Sequence, residues 1–264
     1  MKSFNLTLCA LLAMVVALPA MAAPTGTIYA NGGKASGTLR WMNSAKKYTI
    51  TNAKGMTTEY KEEDVENVDV DRPKELDAAI KQVKAGSAAS AVANLEKIAK
   101  EYTHLTYDRE ATEWLAKAYL AQGNAAKAVA ACEAIIRNDD EAAYMGPMAV
   151  AYWKALTKDG KASKLGLLLD KAIASGDAAA AAAALVARGN AAMERGSNRT
   201  NCEEALRDGY LRVILLYADP ASEAYAEALY MGAKAFDGMG QGNRANKLRE
   251  DLKANCSGSE WARK

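Results

Sequence analysis

The sequence predicts a mainly α-helical protein in which about five helical hairpins follow a small all-β domain. The composition changes near Arg72: Thr, Gly, Val, Tyr and Asn are frequent before it, and apolar residues recur at helical spacing after it. Alanine, the strongest helix former, supplies 57 of the 264 residues and favours closely packed helices. The second part also repeats at intervals of about 34 residues, as stacked helical repeats do.

The first residues have the three-part pattern of a secretory signal peptide. A short positive start that contains Lys2 precedes an apolar run at Leu6–Leu18, and small residues follow at Pro19–Pro24. We expect residues 1–22 to be the signal peptide and the mature chain to be exported to the periplasm or beyond. No later stretch reaches the roughly 20 apolar residues of a membrane-spanning helix, so the mature chain is predicted to lack one.

Residues 24–72 are predicted to form the all-β domain, because short alternating runs are separated by turn signals such as Asn31–Gly33. The predicted strands are 27–30, 37–42, 47–51, 57–61 and 65–70. The segments GTLRW, KKYTIT and GMTTEYKEEDVENVDV resemble SH3-like or Sm-like barrels, and this resemblance implies a small closed barrel. Trp41, Tyr48 and Tyr60 would either pack in or at the mouth of that barrel, or form an exposed patch for a peptide or glycan.

Residues 73–264 are predicted to be helical hairpins, since Pro73 suits a first helical turn and the apolar spacing then changes to three and four. The first helix of each hairpin is expected to start near 75, 108, 142, 177 and 221. Each should end at a turn glycine, and these are Gly86, Gly123, Gly160, Gly196 and Gly240. Pro147 is expected to kink or shorten the third of these helices.

The clearest unit resembles a tetratricopeptide repeat. It carries Trp114, Leu115, Ala116, Ala118 and Tyr119 on the first helix, Gln122-Gly123-Asn124 at the turn, and Ala128, Cys132 and Ile135 on the second. The carboxyl-terminal part is similar to tetratricopeptide proteins of the bacterial envelope, with Tyr217–Ser222 as a loose form of their inter-repeat segment. This resemblance implies a stack whose first helices line a face that binds a peptide or partner helix.

Several exposed residues of that face are candidates for partner contact, although an ordinary solvated surface is an equally good interpretation of each. They are Glu113, Lys117, Gln122, Tyr144 and Lys154. The expected function is a non-enzymatic scaffold or assembly factor of the cell envelope with protein or peptide partners. The alternatives are a peptidoglycan- or glycan-binding module that uses the amino-terminal barrel, and a structural subunit that docks through Trp261.

Enzymatic chemistry has no support in the sequence, so no catalytic, cofactor or metal residue is assigned. His104 is the sole histidine and no CxxC pair exists. The formal net charge of +2 does not favour nucleic-acid binding. Cys132, Cys202 and Cys256 remain after the leader, and an odd number leaves one unpaired or bonded between chains, as in a homo-oligomer. Cys202 and Cys256 are the only intramolecular pair to test.

Overall fold

The computed structural model describes residues 23–264, and the predicted signal peptide, residues 1–22, lies outside this range. The described chain is mainly helical, with a small antiparallel sheet before the helices, as the composition predicted. Its strands end at Val70 and its first helix begins at Lys74. No helix within residues 23–264 combines the length and the hydrophobicity needed to cross a bilayer.

The sheet has five antiparallel strands in the order β4-β3-β2-β1-β5. They are β1 (Thr25–Ala30), β2 (Gly33–Met42), β3 (Lys47–Thr51), β4 (Thr57–Lys61) and β5 (Val65–Val70). Asn31 and Gly32 join β1 to β2 with positive φ angles of 52° and 69°, the backbone of a two-residue hairpin turn. The Asn-Gly signal was therefore interpreted correctly.

The expectation of a closed barrel is wrong, because the sheet is open. In the described residues β4 pairs only with β3, and β5 pairs only with β1. Strand β4 consists of Thr57, Thr58, Glu59, Tyr60 and Lys61, and only Tyr60 is partly buried. Closure would bury little apolar surface there, so no hydrophobic gain drives it. The buried face of the sheet instead joins the same apolar cluster as the first helices.

The helices pair in chain order, and each pair is a hairpin with a first and a second helix. The first helices are α1 (Lys74–Lys84), α3 (Asp108–Ala121), α5 (Gly146–Lys158), α7 (Ala178–Glu194) and α10 (Glu223–Gly238). The second helices are α2 (Ala88–Glu101), α4 (Ala125–Ile136), α6 (Ala162–Ala174), α8 (Arg199–Ala205) continued by α9 (Leu211–Leu216), and α11 (Gly242–Asn255). Each first helix ends two residues before its predicted turn glycine, and these five glycines all have positive φ.

The first helices also contact one another in sequence, α1 with α3, α3 with α5, α5 with α7, and α7 with α10. The prediction for Pro147 is only partly right. Pro147 lies in the first turn of α5, where its missing N–H costs no hydrogen bond. The helix therefore begins at Gly146, later than the predicted start at 142, and Pro147 shortens it without kinking it. The predicted start at 142 is occupied by a short 3-10 turn, Asp140–Ala143.

The second helix of the fourth hairpin contains a feature that the sequence did not predict. A π-helical turn at Leu206–Tyr210 connects α8 to α9. At this turn Gly209 lies against α7, where a Cβ atom would be only 2.7 Å from the carbonyl oxygen of Leu185 and 2.8 Å from Cα of Gly189. The two helices therefore cross at backbone contact, which glycine alone permits.

The cysteine thiols of the described chain are free and buried, so the structure shows no Cys202–Cys256 bridge. Burial, together with the neighbouring Glu133 carboxylate, raises the pKa of Cys132 to about 12. A thiol with a raised pKa is a poor nucleophile. Cys132 is therefore a small apolar core residue, as its position on the inner side of its helix predicted.

Candidate functional site

A face built by the first helices is the candidate site, because side chains from separate hairpins meet on it. At the α1/α3 junction, Nζ of Lys84 lies 5.1 Å from the ring centre of Trp114. At the α5/α7 junction, Lys158 donates to both carboxylate oxygens of Glu194 at 2.7 Å. We call this side of the first helices the first-helix face and define it by twelve residues that are not buried: Lys84, Glu113, Trp114, Lys117, Val150, Lys154, Lys158, Asn190, Glu194, Glu227, Tyr230 and Lys234.

Trp114 marks one end of the first-helix face. Its ring is partly buried, and Nζ of Lys117 lies 4.1 Å from its centre, close enough for a cation–π contact. The same ammonium group donates to Glu113 at 2.5 Å. Lys117 is therefore already neutralised, whereas Lys84, the other lysine beside the indole, has no carboxylate partner within residues 23–264.

A hydrogen-bond chain across three helices marks the other end. The Tyr210 hydroxyl donates to Oδ1 of Asn190 at 2.8 Å, and Nδ2 of Asn190 donates to Oε1 of Glu227 at 2.9 Å. The ring of Tyr210 lies across Gly189, where a Cβ atom would be 2.5 Å from it. The chain thus leads from a fully buried tyrosine in the π turn to a carboxylate on the face.

Electrostatics distinguish Glu227 from the other acids of this face. Burial raises the pKa of Glu227, and the hydrogen bond from Asn190 and the nearby charge of Lys154 oppose this rise. Lys154 itself is exposed and forms no ion pair within the described chain. Close by, the ring centre of Tyr230 lies 5.3 Å from that of Trp261, and Nζ of Lys234 lies 5.6 Å from the centre of Tyr230.

Three of the five predicted contact residues lie on the first-helix face, and two lie elsewhere. Glu113, Lys117 and Lys154 lie on the first-helix face. Gln122 instead caps the end of α3, where its side-chain amide donates to the Ala118 carbonyl at 3.2 Å. Tyr144 precedes α5 and lies beneath Lys171 of the second helix α6. The sequence did not single out Asn190, Glu227 or Tyr210, because polar residues on a helix normally indicate only a solvated side.

The junction between the sheet and the helices holds the other residues that the sequence singled out. The ring of Trp41 packs against Tyr48 and His104, at centre distances of 4.7 and 4.4 Å. Its indole N–H is buried without a hydrogen-bond partner in the described chain. The Tyr48 hydroxyl donates to the His104 carbonyl at 3.4 Å. Trp41 and Tyr48 therefore contribute to packing between the sheet and the α2–α3 loop.

The α2–α3 loop borders a cavity of about 370 Å³ that His104, Asp108, Arg109 and Asp139 help to line. Asp108 is buried, and its two oxygens accept the backbone N–H groups of His104 and Arg109, each at 2.8 Å. Asp139 is paired with the Arg109 side chain. Both carboxylates are therefore committed to holding the loop and the start of α3. No group of three or more potential metal ligands occurs within residues 23–264.

The buried Asp108 leads to a prediction about pH. Burial raises the pKa of Asp108 above its ordinary value of 3.8, so the folded chain holds this proton more tightly than the unfolded chain. The contribution of Asp108 to the free energy of unfolding is therefore greatest below its ordinary pKa of 3.8. It falls as the pH increases through the raised pKa of the folded chain. We expect the free energy of unfolding of Asp108→Asn to decline less than that of wild type over this window, measured by denaturant titration at several pH values. The exposed Asp64→Asn serves as control, and parallel curves for wild type and Asp108→Asn would contradict the assignment.

Comparison with known proteins adds no family assignment. No protein-family model, no curated protein and no solved structure matches this chain.

Proposed function

We propose that this chain is a non-enzymatic, protein-binding scaffold or assembly factor of the tetratricopeptide type, exported to the bacterial cell envelope. The observation that carries the proposal is the unbroken series of contacts between first helices from α1 to α10. Such a series presents side chains of five hairpins to one ligand, and stacked helical repeats bind peptides or partner helices in this way.

The composition of the first-helix face supports binding over a purely structural role. Val150 is 41% exposed although it is apolar, and Trp114 and Tyr230 are only partly buried. Tryptophan and tyrosine are enriched in protein-binding surfaces relative to the rest of the protein surface. Export is supported by the leader pattern of residues 1–22 alone.

The alternatives depended on aromatic residues that pack against other residues in the structure. Glycan binding relied on Trp41, Tyr48 and Tyr60; the ring of Trp41 is stacked against Tyr48 and His104, and Tyr60 is partly buried. Docking of a structural subunit relied on Trp261, whose partly buried ring packs against Tyr230, so this alternative would use one end of the first-helix face itself. The first-helix face is therefore the better-supported binding surface.

Site-specific photo-crosslinking tests this proposal. The crosslinking residue p-benzoylphenylalanine would replace Val150 on the first-helix face or, as control, Leu167, which is 69% exposed on the second helix α6. We expect cells that express the Val150 variant to form a discrete protein adduct that the Leu167 variant lacks. The proposal fails if neither position yields an adduct, or if both yield the same set.

A further inference from the structure

The first-helix face carries three lysines whose charge is not neutralised within the described chain. The residues that define the face include five lysines and three glutamates, and the acids at neighbouring positions of the same helices, Asp77, Glu110 and Asp237, are paired with arginines. Two of the glutamates are neutralised locally, Glu113 by Lys117 and Glu194 by Lys158. The third, Glu227, is hydrogen-bonded by the neutral Asn190 and partly buried.

Three lysines of this face have no carboxylate within ion-pair distance in residues 23–264. Lys84 projects from α1 over Trp114, and Lys234 projects from α10 over Tyr230. Lys154 lies on α5, between these two. Each of the outer ammonium groups is thus beside an aromatic ring, which offers an apolar contact next to a positive charge.

The spacing of these lysines limits the form of an occupant. Neighbouring packed helices lie about 8–10 Å apart, so α1 and α10, four steps apart in the series, are separated by up to roughly 40 Å. An extended peptide covers this distance with about 12 residues, because it advances about 3.3 Å per residue, whereas a helix would need more than twice as many.

We infer that the partner of the first-helix face is an extended acidic protein segment, with carboxylates that pair with Lys84, Lys154 and Lys234 and apolar side chains that contact Trp114, Val150 and Tyr230. This inference rests on the proposed binding role of the same face and specifies the chemistry of its partner. Charge complementarity of this kind determines partner choice and association rate more than it determines affinity.

Fluorescence anisotropy with defined peptides tests the inference. The probe, called the acidic peptide, is a labelled peptide of about 15 residues in which Asp and Glu alternate with Leu, Phe and Ser. The control, called the amide peptide, carries Asn and Gln in place of Asp and Glu. We expect the acidic peptide to bind the mature protein. Its affinity should fall as the salt concentration rises above about 0.1 M, where surface charges are screened over about 10 Å. The amide peptide should bind at least about tenfold more weakly.

Two charge-matched variants determine whether the named lysines are responsible. The combined substitution Lys84→Gln, Lys154→Gln and Lys234→Gln should weaken binding of the acidic peptide by about tenfold. Each exposed lysine–carboxylate pair is expected to contribute a few tenths to about 1 kcal/mol. The control Lys54→Gln, Lys100→Gln and Lys247→Gln removes the same charge from exposed lysines that also lack carboxylate partners in the described chain, and it should leave binding within about twofold of wild type. Circular dichroism establishes that both variants are folded.

The outcomes separate this inference from the proposed function. The inference is overturned if both variants weaken binding equally, if the amide peptide binds as well as the acidic one, or if a single-stranded oligonucleotide binds while the acidic peptide does not. A protein adduct at position 150 together with no acidic-peptide binding would reject the partner chemistry and leave the binding face in place. No adduct and no peptide binding would reject both.

Discussion

Gly209→Ala is expected to lower the free energy of unfolding by about 3 kcal/mol, the upper end of the usual range for overpacking, since the added methyl group meets backbone atoms that cannot move away alone. Its Cβ would lie 2.7 Å from the Leu185 carbonyl oxygen and 2.8 Å from the backbone nitrogen of Gly189. The helices would have to separate at the point where Tyr210 connects to Asn190. The loss is measured by equilibrium unfolding in denaturant.

Gly166→Ala is the matched control, because Gly166 lies inside the helix α6 and a Cβ there would meet no atom within 4 Å. Alanine is favoured over glycine in a helix by about 1 kcal/mol, so this variant should be as stable as wild type or more so. If Gly209→Ala behaves like Gly166→Ala, the close helix crossing at the π turn is absent in solution.

Trp153→Ala is the second substitution with a large expected effect. Trp153 is 1% exposed, and its indole N–H donates to the Ala143 carbonyl at 2.9 Å. Removing the ring leaves a cavity in the core of the third hairpin and an unpaired carbonyl, which together cost about 3–5 kcal/mol. Trp153→Phe keeps most of the apolar volume and loses the hydrogen bond and a smaller part of the packing, so about 1–3 kcal/mol is expected.

Trp114→Ala makes the same chemical change on the first-helix face and serves as the control. Trp114 is only partly buried, so the loss of its apolar and cation–π contacts should cost about 1–2 kcal/mol, clearly less than the loss of Trp153. Thermal unfolding followed by circular dichroism distinguishes the two positions. Equal destabilisation by Trp153→Ala and Trp114→Ala would contradict the placement of Trp153 in the core.

Much of the secondary structure could be predicted from local signals. The strands 47–51, 57–61 and 65–70 were predicted at their observed bounds, because alternating residues and turn chemistry act within a few positions of one another. The turn glycines of the hairpins were predicted for the same reason. The candidate site was predictable only in part: Lys117 and Lys154 follow from exposure on a first helix, whereas Gln122 is used to cap its own helix.

The sequence by itself determined that a small β region precedes helical hairpins, where the hairpins turn, and which faces are apolar. Residue type and spacing are sufficient for this, since propensity and turn geometry are local. The tertiary structure alone decided that the sheet stays open, that Gly209 brings the π turn against α7, and that Asn190 joins Tyr210 to Glu227. The last two features depend on contacts between residues about 20 to 40 positions apart, and no local pattern specifies which distant side chains will meet.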